Sequence, residues 1–120
     1  MKTKPDVFII ESLTFENERK NRFEGRILSD VLLLSDKRCE YYYIRTEREL
    51  REVLRRFTAS TYRYLHISCH ANDSSLATTL DEISFADFAE IIRPHLKNRR
   101  LFLSACSMTN NTLAKLLMPN

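Results

Sequence analysis

Two apolar runs in this chain end on residues that can do chemistry together. The stretch YLHISCHANDS (64–74) carries hydrophobic residues up to His70, and RLFLSACSMTN (100–110) carries another run up to Cys106. A thiol attacks as its thiolate, which a nearby imidazole or a helix N-terminus favours. Cys106 is followed by SMTNN, short polar residues suited to a turn and a helix start. An imidazole titrates near neutrality, so His70 can take the thiol proton and return it to a departing amine. The small polar residues ANDSS after it leave the ring unobstructed. Thirty-six residues separate the pair, enough for a loop, a helix and the next strand.

The elements that must carry these residues alternate along the chain. The β-branched run 7–10 reads as a strand. Residues 14–34 read as one helix with Phe23, Ile27, Val31 and Leu34 as its inward stripe. The aromatic CEYYYI (39–44) reads as a second strand. Thr46 with Glu49 forms a capping box opening a helix that buries Leu50, Val53, Leu54 and Phe57. A third strand covers 62–69. Ser84 with Asp87 opens another helix, carrying Phe85, Phe88, Ala89 and Ile92 inward and ended near Pro94. A fourth strand at 101–105 and a short helix at 111–118 complete the pattern. Four strands each followed by a helix predict an α/β fold with right-handed crossovers and a mainly parallel sheet covered on both faces. Ligands of such sheets sit at the carboxyl ends of the strands, where His70 and Cys106 both fall.

Composition narrows the classes. The 120 residues make a single domain, 1–120, and 43% hydrophobic against 29% charged residues is the balance of an ordinary globule. The lone glycine, Gly25, excludes glycine-rich phosphate loops, and with them the dinucleotide and P-loop fingerprints. A net charge of +3 is too small to argue for nucleic acid, and RTERELREVLRRF (45–57) alternates arginine with glutamate as a solvated helix does. No apolar stretch reaches bilayer length, and the N-terminal apolar run is broken by Glu11 with no cleavage site after it. We therefore expect neither nucleic acid nor membrane as a partner, and a cytoplasmic location. Three cysteines, an odd number without framework spacing, read as reduced thiols. His66, Cys69, His95 and Cys39 lack metal-ligand spacing, so no metal or other cofactor is expected. A phosphoacceptor receiver domain would need an aspartate where the third strand ends in His70, and an acidic pair where the first offers only Glu11.

LHISCHA and LFLSACS resemble the paired His and Cys motifs of the caspase-like (clan CD) cysteine peptidases, most of all their CHAT branch. The resemblance implies a three-layer caspase-like sandwich, with His70 as base and acid and Cys106 as nucleophile. It also implies an oxyanion hole of the backbone N–H groups of Ala71 and Cys106. Ala71 stands where the family has glycine, and family domains continue with further strands past this point, which implies a C-terminally truncated domain. The implied function is a cysteine endopeptidase that cleaves protein or peptide substrates through an acyl-enzyme. Such domains are regulated effectors in prokaryotic signalling or defence, under an activating partner or ligand. The alternative is a catalytically inactive caspase-like interaction module. Glu11, Ser12, Asp73 and Ser107 are candidates for shaping the cleft, and Asp73, Asp81 and Glu82, in a polar stretch that reads as either a hairpin or a specificity loop, would favour a basic P1 side chain.

Overall fold

The computed structural model describes residues 2–106, Cys106 by its backbone alone. In chain order the elements are strand β1 (Lys4–Glu11), helices α1 (Phe15–Arg19) and α2 (Glu24–Leu34), strand β2 (Cys39–Tyr43), helix α3 (Glu47–Ala59), strands β3 (Tyr62–Ala71), β4 (Ser75–Ala77) and β5 (Glu82–Ser84), helix α4 (Phe85–Ile92), a 3₁₀ turn (Arg93–His95) and strand β6 (Arg100–Cys106). The expected helix at 111–118 and Ser107 lie outside the described residues.

The four strands anticipated from apolar runs pair in parallel in the order β2-β1-β3-β6. The polar stretch after His70 takes the hairpin form of its two readings and adds two short strands. Asn72 Oδ1 accepts the N–H groups of Ser74 and Ser75, at 2.9 and 2.8 Å, and so turns the chain into the β4–β5 hairpin. The hairpin adds antiparallel to the end of β3 through Ala71↔Leu76 and His70↔Ala77, which makes the six-stranded sheet mixed.

Alternation along the strands divides the side chains between two faces. Phe8, Ile10, Leu65 and Ile67 face a core built with Leu50, Val53, Leu54 and Phe57 of α3 and Phe85, Phe88, Ile91 and Ile92 of α4. Both helices start as expected: Thr46 Oγ1 accepts the N–H of Glu49 at 3.1 Å, and Ser84 Oγ that of Asp87 at 3.1 Å. The C-terminus of α3 is closed by Arg99, whose guanidinium lies over the Phe57 ring and donates to the carbonyls of Phe57, Thr58 and Ser60. Arg99 is thus a capping residue.

The opposite face carries α2, and here two expectations are corrected. The helix foreseen over 14–34 is two helices, broken at Asn21, whose φ of 55° lies in the left-handed region. The apolar stripe foreseen to point inward points out: Ile27, Val31 and Leu34 are 60%, 52% and 87% exposed. The buried residues of α2 are Gly25 and Ser29. The small side of the helix lies on the sheet because its first turn is held to the carboxylate of Glu11, which a bulky residue at position 25 would keep at a distance. No helix among the described residues is long and apolar enough to cross a membrane.

Candidate functional site

The continuous register of β3 against β6, from Tyr64↔Arg100 to His70↔Cys106, sets the geometry of the rim. His70 is therefore the strand partner of Cys106 at the carboxyl ends of two adjacent parallel strands. Neighbouring strands lie about 4.8 Å apart, so side chains from such a pair start within reach of each other. A cleft of about 200 Å³ opens here, with Ser68, His70, Ser104 and Ala105 along the strands and Arg22 and Glu24 on the wall. The thiol of Cys106 lies outside what the structure describes, as does Ser107.

One pleat below this pair, the register aligns Tyr43, Glu11, Ser68 and Ser104 into a polar row across β2, β1, β3 and β6. Glu11 is fully buried within it. Its carboxylate accepts the N–H of Gly25 at 2.6 Å, the N–H of Arg26 at 3.3 Å and the Tyr41 hydroxyl at 2.6 Å. Two of the orphan donors at the start of α2 are thereby satisfied, and the negative charge sits at the favourable end of the helix dipole. Burial and the bond to Glu11 together push the Tyr41 phenol well above its ordinary pKa.

Ser12 is also buried. Its N–H donates to the Ser68 carbonyl at 2.9 Å, and its Oγ accepts the N–H of Thr79 at 3.0 Å. Thr79 in turn donates to the Leu13 carbonyl at 2.6 Å, tying the end of β1 to the loop between β4 and β5. Tyr43 donates to Glu18 at 2.6 Å, and Arg45 ion-pairs with the same carboxylate at 2.8 Å. The Tyr43 bond, then Arg45, hold the Glu18 carboxyl below its ordinary pKa. Glu11 and Ser12 accordingly support the rim from beneath and do not line the cleft.

The other residues singled out in the sequence have varied places. Ala71 is buried at the end of β3 and pairs with Leu76. Asp73 sits in the bend between β3 and β4. Asp81 accepts the N–H of Glu47 at 2.7 Å and so serves the start of α3, while Glu82 is exposed on β5. None of these three acids lines the cleft. His66 shares a sheet face with Ser68 and His70 and borders a shallow groove with Tyr64, Phe102, Leu28 and Leu32. Burial lowers its pKa, against the opposing pull of Glu11 and Glu24. Cys39 contacts Ser29 Oγ at 3.4 Å, and Cys69 packs against the α3–α4 core. Among the described residues no group of three His, Cys, Asp or Glu could hold a metal ion.

Two wall residues, Arg22 and Glu24, escaped the sequence reading. With one helix drawn over 14–34, Glu24 falls in mid-helix. The signal that could have found it is positional: a helix that follows a parallel strand begins at the carboxyl rim, so its first-turn side chains border whatever binds there. No protein-family model matches the chain, and no curated protein matches it in sequence.

Proposed function

We propose that this domain is a cysteine endopeptidase of the caspase-like, CHAT-type kind, its sheet and helices forming that family's three-layer sandwich, with His70 and Cys106 as its dyad. The observation that carries the reading is the parallel register that makes His70 the strand partner of Cys106 beside an open cleft. In the reaction, the Cys106 thiol passes its proton to the His70 imidazole as the sulfur bonds to the scissile carbonyl carbon. The tetrahedral oxyanion is held by backbone N–H groups at Cys106 and Ala71. Its collapse breaks the C–N bond, and the leaving amine takes the proton from His70. Water then attacks the thioester, giving one proton to His70, and the thiolate leaves and recovers that proton. A protein or peptide is the substrate, no cofactor enters, and the setting is a cytoplasmic effector under an activating partner or ligand.

A thiol-directed peptidyl probe tests this reading. Labelling is expected at Cys106, abolished by Cys106→Ala and slowed about 10²- to 10⁴-fold by His70→Ala, the range of a lost general base. A wild-type protein that takes no probe, or labels equally without His70, rules it out.

One observation favours a second reading, a catalytically inactive interaction module. Ala71 stays in the sheet, paired with Leu76, and is not among the described residues with positive φ. An alanine resists the positive φ that the family's glycine permits, so the backbone turn that would aim this N–H at an oxyanion is lacking. Binding of a protein partner without probe labelling would select this alternative.

A further inference from the structure

We propose that Glu24 makes this cleft select a cationic side chain, lysine or arginine, at the P1 position of the substrate; the inference rests on the peptidase reading of the same site. Among the described residues lining the cleft, Glu24 is the one carboxylate. Its Oε2 accepts a bond from Ser104 Oγ at 3.4 Å. Ser104 precedes Cys106 by two residues on the same strand, about 6.6 Å along β6. A negative charge thus lies one pleat below the position of the nucleophile, at a depth that a long side chain reaches and a short one does not.

Three further observations suit Glu24 to the task. It enters none of the ion pairs among the described residues, and its bond to Ser104 leaves acceptor capacity for an ammonium or, in bidentate form, a guanidinium. Its backbone is pre-placed, because the next residue, Gly25, is bonded to the buried carboxylate of Glu11 at 2.6 Å. Its charge also reaches the neighbouring groove, where it favours the protonated form of His66 against burial. Asp81 and Glu18, by contrast, are engaged with the start of α3 and with Tyr43 and Arg45. Arg22 shares the wall but comes from the loop before α2, with its N–H tied to the Asn17 carbonyl at 3.0 Å.

The test uses the full chain and fluorogenic peptides that differ only at P1: Arg, Lys, Leu or Asp. A charge-assisted contact contributes roughly ten- to a hundredfold. The expected ratio of kcat/KM for Arg over Leu is therefore at least tenfold in the wild type, close to one in Glu24→Gln, and restored in part by Glu24→Asp. Arg22→Gln should leave the Arg preference standing. A non-cleavable cation, benzamidine, is titrated in parallel while the backbone amides of Gly25, Ser68 and Ser104 are followed by NMR. Shifts that saturate in the wild type and weaken at least fivefold in Glu24→Gln support the cation site even where no peptide is cut, an outcome that discards the peptidase reading alone. Cleavage with no P1 preference, or with an Asp preference lost in Arg22→Gln, overturns the role of Glu24 and leaves the peptidase reading intact. Neither cleavage nor benzamidine shifts overturns both.

Discussion

His66 shows how a single side chain under the rim couples to pH. It is half-buried between α2 and the sheet, and burial disfavours its charged form more than Glu11 and Glu24 favour it. The folded state therefore keeps the ring neutral at pH values where the unfolded chain, titrating near 6.5, already binds a proton. Stability is complete above that value. It declines as pH falls below about 6.5 until the lower folded pKa is passed. His95 acts in the same sense, through burial and the nearby Arg99 and Arg55. Glu18 acts in a more acidic window: its lowered pKa contributes stability above the ordinary carboxylate range, lost as pH falls through the folded value. Urea denaturation between pH 7.5 and 5.5 is expected to show falling stability, with a shallower decline in His66→Gln and a shallower one still with His95→Gln added. An unchanged slope in both variants would mean these rings are as solvated folded as unfolded.

At the level of elements, the clasp between β1 and α2 decides how the cleft wall stands. A Cβ on Gly25 would meet Glu11 Cδ and Ile9 Cγ2 at 3.1 Å each, and both neighbours are fully buried. Alanine ordinarily gains about 1 kcal/mol over glycine inside a helix. Here Glu11 is pinned by three hydrogen bonds and cannot retreat, so overpacking of about 1–3 kcal/mol prevails. Gly25→Ala should therefore lower the urea midpoint, and a raised midpoint would show that the helix can lift off the sheet freely. This clasp also explains what was legible beforehand. The strand ends at His70 and Cys106 could be read because apolar runs give way abruptly to small polar residues, and α3 and α4 because cap and stripe agree. The helix over 14–34 was misread because a favourable stripe, Ile27, Val31 and Leu34, outweighed one glycine and an Asn at 21. Periodicity records which residues are apolar; it is silent about a buried carboxylate fourteen residues earlier that chooses the opposite side of the helix. The same blindness hid Glu24, while the stretch after His70 stood open between a hairpin and a loop because its strands are three residues each, held by an Asn side chain.

Across the whole molecule the two faces of the sheet are unequal. One supports a dense core in which Leu54, Phe57, Phe88 and Ile92 are all but sealed from solvent. The other receives α2 on its small residues and leaves Ile27, Val31, Leu33 and Leu34 outside, with Phe102 also exposed on β6. Burial drives folding in proportion to the apolar area removed from water, so mutational sensitivity should follow this asymmetry and not the hydrophobicity of the residues. Leu54→Ala leaves a cavity between α3 and the sheet, and about 2–5 kcal/mol of stability should be lost. Val31→Ala and Ile27→Ala shorten side chains that are more than half exposed, and each should stay within about 0.5 kcal/mol of wild type. Charged replacements should sharpen the contrast. Ile27→Lys is expected to fold as the wild type does and to associate less at high concentration, because it interrupts an exposed apolar patch. Equilibrium urea melts with sedimentation velocity on the same samples decide the matter. If Ile27→Lys unfolds the protein as Leu54→Ala weakens it, α2 packs on its apolar stripe after all, Gly25 faces away from Glu11, and the cleft wall at Glu24 must stand elsewhere.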